Sequence, residues 1–194
     1  MLKKLVNLIF HDKLFYILAL IQRWSHFRIR KARGEIELNK IKNKGVNCTF
    51  QGELLVAYRD RLKIGDNVRV GYGGYLFCIG GLTIGDNTQI SRNVLIYTGN
   101  HDINGTAIPF DDTYVLKPVN IGNSVWIGMN VTITPGVNIG DGAVIGMGTV
   151  VSKDVAPGAI VVGAQQRVVK YRDMDDFYNK LGAERLYGKI WPSE

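Results

Sequence analysis

Residues 121–151 read IGNSVWIGMNVTITPGVNIGDGAVIGMGTVV. An aliphatic residue falls on every sixth position, at Ile121, Ile127, Ile133, Ile139, Ile145 and Val151, and Gly follows it at 122, 128, 140 and 146. A small or β-branched residue recurs four places after each, at Val125, Val131, Val137, Ala143, Thr149 and Val155. This period is neither the 3.6 of a helix nor the two of an alternating strand. Three hexads close a coil of about 18 residues with a short strand on each of three sides, and such coils stack as a parallel β-helix. The first-position aliphatics then form its core.

The same period runs through an earlier tract, with Ile64-Gly65, Val70-Gly71 and Leu76, a two-residue slip, then Ile84-Gly85, Ile90-Ser91 and Ile96. The repeat covers about residues 46–163, with an irregular first coil around Val46. Asp66-Asn67, Asp86-Asn87 and Asn138 are read as corners, since these residues tolerate the positive φ of tight turns. Open ends of such a stack need covering. The division expected is a basic helical segment over 1–45, a β-helix over 46–165, and a helical cap over 166–194 that contains a short amphipathic helix at 173–187. The fold class is all-β dominated, a parallel β-helix of hexapeptide repeats with helical segments at both ends.

Apolar residues make up 46% and charged residues 21% of the 194, which suits a folded core and excludes disorder. Cys48 and Cys78 are too few for a disulfide framework and lack metal-ligand spacing. The net charge of +7 is unevenly placed: residues 1–44 hold eleven Lys/Arg against three Asp/Glu, and residues 45–194 hold thirteen against fourteen. A nucleic-acid-binding protein would carry that charge on its folded face, so no nucleic-acid partner is expected. The apolar run Leu14 to Ile21 would rise about 12 Å as a helix, against a hydrocarbon core of about 30 Å. It cannot span, and no small-residue cleavage site follows, so the expected location is cytoplasmic. The run needs cover on more than one side. Either it packs on the prism or another subunit, or it lies with its basic flank, Arg28, Arg30, Lys31 and Arg33, on the anionic inner face of the membrane.

The repeat breaks between Ile96 and Ile121, which are 25 residues apart and read as one coil of 18 plus seven more. A loop over 101–118 must leave the prism there, and insertions on a rigid repeat tend to carry function. Asn100-His101-Asp102 stands at its mouth, and His101 is the one histidine besides His11 and His26 of the amino-terminal segment.

These hexads, the histidine opening the loop in Ile96-Tyr97-Thr98-Gly99-Asn100-His101, the stretch Ile121 to Gly128, and Val151-Ser152-Lys153-Asp154-Val155 before Pro157-Gly158 resemble the left-handed β-helix acyltransferases. Within that family the likeness is to sugar and surface-polysaccharide O-acetyltransferases. The resemblance implies left-handed coils, a homotrimer with a site in each groove between prisms, acetyl-CoA as donor, no metal, and a sugar, capsule or O-antigen hydroxyl as acceptor. It implies His101 as general base, flanked by Asn100 and Asp102; a neutral imidazole, of ordinary pKa near 6.5, suits that task. Its second nitrogen could be held by a chain carbonyl or by Asp102. On the donor side the resemblance implies Trp126 beside the active site and Gly128 leading to Met129, whose N–H would meet the thioester carbonyl. Gly146, Met147 and Gly148 correspond to a pantetheine wall, and Ser152, Lys153, Arg167 and Lys170 to contacts with the pantetheine amide and the phosphates. Two places depart from the family pattern: Gly71-Tyr72-Gly73, where maltose-type enzymes offer an asparagine, and Gly163-Ala164-Gln165-Gln166 near the end.

Other readings are transfer to an amine of an amino-sugar precursor and a non-enzymatic β-helix scaffold. A γ-class carbonic anhydrase would need three histidines around zinc, and this prism has only His101. Cys78 sits in a regular coil apart from His101 and reads as a wall or core residue, and the resemblance implies direct transfer in a ternary complex, with no acyl-enzyme.

Overall fold

The computed structural model describes residues 2–104, 106, 110–163 and 166–183, the side chains of 2–12 and 167 excepted. Its centre is a left-handed parallel β-helix of about six turns. The first face carries Asn43–Lys44, Leu62–Ile64, Leu82–Ile84, Val119–Ile121 and Asn138–Ile139 in parallel register. The second carries Thr49–Phe50, Arg69–Val70, Gln89–Ile90, Trp126–Ile127, Val144–Ile145 and Ala159–Val162. The third carries Leu55–Ala57, Tyr75–Phe77, Leu95–Tyr97, Thr132–Ile133 and Val150–Val151.

Register explains the hexad. Ile64, Ile84, Ile121 and Ile139 pair down one face, Phe50, Val70, Ile90, Ile127, Ile145 and Val161 down the next, and Val56, Leu76, Ile96, Ile133 and Val151 down the third. All are buried. Burial of each such side chain contributes about 1.5–3 kcal/mol before the entropy of ordering is subtracted. The first coil departs from the repeat on its first face, as expected, because Lys44 stands there in register with Ile64, while Phe50 and Val56 keep the period and Val46 points outward, 70% exposed.

At the corner between the first and second faces, an acid or amide of each coil accepts a backbone N–H from the coil before it. Asp66 accepts from Val46, Asp86 from Asp66, Asn123 from Asp86, and Asp141 from Asn123, at 2.7–2.8 Å. The positive φ belongs to the next residue, at Asn47, Asn67, Asn87 and Ser124. Asn138 is not such a corner. It lies in a strand, donates its N–H to Asp154 Oδ1 at 2.8 Å, and leaves the positive φ to Gly136.

The corner between the third and first faces is the variable one. The first two coils each place extra residues there, a 3-10 turn at Arg59–Arg61 and the turn Cys78 to Gly81. The third coil extrudes an antiparallel hairpin, Gly99–His101 with Tyr114–Leu116. The break holds no extra coil of its own, contrary to the count of 18 plus seven, because Ile84 and Ile121 are direct neighbours on one face. Equivalent residues are 37 apart across this break and 18 apart in the next coil, so the hairpin takes the whole excess. Thr98 seats it, accepting Gly80 N–H on Oγ1 at 2.7 Å and Lys117 N–H on its carbonyl at 2.9 Å.

One helix, α1, runs over Leu2–Asn39. Its last third covers the first coil: Leu38 and Ile41 join the core, Arg33 pairs with Glu53 and Glu37 with Arg59 at 2.9 Å each, and Arg30 lies 4.4 Å from the Tyr72 ring. At the other end Arg167–Tyr171 folds back antiparallel on Ala159–Val162. Helix α2, Met174–Gly182, is capped by Asp173 accepting from Asp176 N–H, and it buries Phe177 against Gly142. It is shorter than the helix expected over 173–187, of which 184–187 lie outside the described residues.

Gly34 shows how tightly α1 sits, since a Cβ there would lie 2.1 Å from the Phe50 carbonyl oxygen. Gly34→Val should therefore cost at least about 2 kcal/mol by forcing the helix off the coil. Gly182→Ala meets nothing within 4 Å and should be neutral or slightly stabilising. Thermal melting of the two variants checks this, and equal midpoints would contradict the close contact.

Candidate active site

The hairpin sets His101 opposite Tyr114. The imidazole Nδ1 lies 2.9 Å from the Asp111 main-chain oxygen. A carbonyl can only accept, so Nδ1 carries the proton and donates it. The neutral ring then has its lone pair on Nε2, where the Tyr114 hydroxyl donates across 3.0 Å. Phe110 stacks on the imidazole at 4.0 Å and Tyr114 tilts over it at 4.2 Å. Tyr114 in turn touches Phe77, within an aromatic row on the third face that includes Tyr75 and Tyr97.

The partner of Nδ1 is thus a carbonyl, and Asp102 is not it. Neighbouring residues of a strand point to opposite faces, so Asn100 and Asp102 turn away from the imidazole. Asp102 Oδ1 accepts from Asn104 N–H at 2.9 Å instead, and Asn100 is exposed. The acid that matters is Asp111, whose carboxylate accepts from the N–H and hydroxyl of both Thr106 and Thr113 at 2.5–3.0 Å. Those bonds hold its carboxyl well below the usual carboxylate range, the Thr113 hydroxyl first among them. Because the folded chain favours the ionised form, this brace is present at neutral pH and is lost only as pH falls below the ordinary carboxylate range. Phe110, Asp111 and Tyr114 were not singled out from sequence, although Asp111-Asp112-Thr113 has the composition of a side-chain-capped turn. Cys78 is buried, and burial pushes its thiol up to about 12, which leaves no thiolate at neutral pH.

The corner between the second and third faces stacks Tyr72, Arg92, Met129 and Met147 in successive coils. Arg92 ties this column together, donating to the Tyr72 hydroxyl at 2.7 Å and reaching Met129 Sδ at 3.4 Å. That bond also holds the Tyr72 phenol below its ordinary pKa. Trp126, 58% exposed, shares a groove of about 530 Å³ with Met129, Arg69, Gln89 and Arg92. Gly128 lies against the next turn, where a Cβ would come 2.6 Å from Met147 N. Met147 itself is exposed.

Ser152 and Lys153 lie on another edge, the corner that also extrudes the His101 hairpin. Gln166 braces them, accepting Lys153 N–H at 3.1 Å and donating to the Asp154 carbonyl at 3.3 Å. Lys170 is exposed on the returning strand, and the Arg167 side chain lies outside the described residues, as do Ala164 and Gln165. The expected site residues therefore fall into two groups on different edges. His101, Ser152 and Lys153 share one edge, and Trp126, Gly128, Met129 and Met147 share the other. A single chain does not bring them into one pocket.

Residues 118–153 match the family model for bacterial transferase hexapeptide (six repeats), and residues 61–98 match that for the hexapeptide repeat of succinyl-transferase. Galactoside O-acetyltransferase of Escherichia coli (strain K12) is 34% identical over 135 residues, 69% of this chain and 66% of its own. Nodulation protein L of Rhizobium meliloti (strain 1021) is 36% identical over 153 residues, 76% of this chain and 75% of its own. A solved galactoside acetyltransferase in complex with coenzyme A overlays with a TM-score of 0.61 at 32% identity, covering 70% of this chain and 67% of that one. The chain belongs to the hexapeptide-repeat acyltransferases of the left-handed β-helix fold. Its activity within that class is acetyl transfer.

The geometry around His101 makes a spectroscopic expectation. Nitrogen NMR of the neutral imidazole should show the proton on Nδ1, Asp111→Ala should mix the tautomers by freeing the carbonyl that holds it, and Asp102→Ala should leave them unchanged. A dominant Nε2–H form in the unmutated protein would contradict the arrangement.

Proposed function

We propose that the chain is an acetyl-CoA-dependent O-acetyltransferase for a hydroxyl of a sugar or surface-polysaccharide precursor in the cytoplasm, acting as a homotrimer. His101 of one subunit would face the Trp126 and Met129 groove of the next. The observation that carries this reading is the imidazole itself, whose Nδ1 is committed to the Asp111 carbonyl and whose Nε2 is left as the basic nitrogen. The separation of the two residue groups supports completion of the site by a neighbouring chain. So does the third face, whose outward residues include Leu55, Leu95, Tyr97 and Val150, all exposed and apolar. The outward positions of the first face are Asn43, Lys63, Thr83, Asn120 and Asn138, which suit solvent.

The chemistry is direct transfer. The acceptor hydroxyl would displace the Tyr114 hydroxyl as the donor to Nε2, and its oxygen would attack the thioester carbonyl as the imidazole takes the proton. The Met129 N–H would stabilise the developing oxyanion. Collapse breaks the carbon–sulfur bond, and the leaving thiolate takes back the proton. Supporting this donor, Gly148 leaves open space beside the Met147 turn for an extended pantetheine. Ser152 would offer a hydroxyl to its amide, and Lys153 and Lys170, with Arg167 by the resemblance alone, would offer cations to phosphate.

His101→Ala should lower kcat at least about a hundredfold while melting behaviour and oligomer size stay unchanged, and a loss within about threefold would contradict the base assignment. Lys153→Ala should raise KM for acetyl-CoA much more than KM for the acceptor, because a contact remote from the reacting carbon contributes uniform binding. The effect should shrink as salt rises. Equal changes in both KM values would remove Lys153 from the donor site.

A further inference from the structure

Residues Leu14 to Ile29 of α1 lie mostly beyond the part of the helix that packs on the prism, only His26 and Ile29 bordering a groove with Leu55 and Tyr72. Ten of these sixteen side chains are large apolar or aromatic groups, 43–67% exposed. Scattered exposed apolar residues are ordinary, whereas a continuous patch of this kind marks an interaction surface. Ile17, Leu20, Trp24 and Phe27 follow one another at three- and four-residue steps and so share one face.

Charge narrows the partner. Lys13, Arg23, Arg28 and Lys31 fall between residues 13 and 34, a stretch with no Asp or Glu, while its Arg30 and Arg33 are turned to the prism, at Tyr72 and Glu53. A second copy of α1 against this face would bring cations to cations without a counterion from either helix. An anionic surface complements both features, taking the apolar stripe into its interfacial layer and the basic side chains among its headgroups. Trp24 has the amphipathic ring favoured at that depth, and the Arg28 guanidinium lies 5.4 Å from it. Among the described residues no helix is long and apolar enough to cross a bilayer, so the contact is peripheral.

We propose that this exposed part of α1 docks the protein on an anionic lipid bilayer. The helix runs unbroken into the segment locked on the first coil by Gly34, Leu38 and Ile41, so docking holds the whole prism at the surface. The proposal does not depend on the acetyl acceptor.

Co-sedimentation of the full chain with phosphatidylcholine vesicles, with and without phosphatidylglycerol, tests it. Binding is expected only to the phosphatidylglycerol vesicles, and it should weaken as salt rises. Ile17→Glu combined with Leu20→Glu should reduce that binding at least about tenfold, with melting behaviour and sedimentation coefficient unchanged. The proposal is overturned if the full chain ignores anionic vesicles at low salt, or if the double variant binds them undiminished. A double variant that instead changes the oligomer would show that the patch is a subunit contact, which also overturns it.

Discussion

One coil of this chain cannot bury its own inward residues, and that constraint organises everything else. Ile121 is covered only because Ile84 and Ile139 lie on either side of it, and Ile127 only because Ile90 and Ile145 do. The stack is therefore stable as a column or not at all, and its strands have no room to vary. Variation is pushed to the corners. The corner between the first and second faces is itself occupied by the bonds that run from Asp66 to Asp141, and the corner between the third and first faces is left as the place where the chain can leave the prism.

His101 gains its geometry from that exit. The base of the hairpin is fixed to the wall through Thr98, and its tip is drawn together by the Asp111 carboxylate, so the Asp111 carbonyl is aimed at Nδ1. The tautomer is a consequence of local backbone geometry and needs no buried acid beside the ring. Phe110 and Tyr114 clamp the imidazole from the sides. Docking of α1 over the first coil is separate from this assembly, and the groove at Trp126 lies on another edge.

The inward columns and the place of His101 were legible because both follow from local period: a repeat announces its core and also announces where it fails. What was misjudged depended on pairing in space. The gap from Ile96 to Ile121 looked like a coil plus a short loop, because a single chain gives no sign that Ile84 and Ile121 are neighbours. For the second nitrogen of His101 the sequence left a chain carbonyl and the adjoining Asp102 both open, and the partner proves to be a carbonyl ten residues on, at Asp111, because strand alternation turns adjacent side chains apart. Asn138 resembled a turn residue by type and proved to be a strand residue whose N–H a neighbouring Asp accepts. The donor-side roles of Trp126, Met129 and Lys153 came from the family resemblance and not from their spacing, and their placement on two edges appears only once the coils are closed.

That division makes the central claim, a site shared between subunits, open to a direct measurement. His101→Ala and Trp126→Arg, the second filling the groove with a charged side chain, should each be inactive as pure oligomers. Mixed by joint refolding, they should recover about a quarter of the unmutated acetyl-transfer rate, since that fraction of interfaces would pair an intact His101 with an intact groove. No recovery from mixed oligomers of normal size and melting behaviour would mean that each chain builds its site alone, and the account would be wrong.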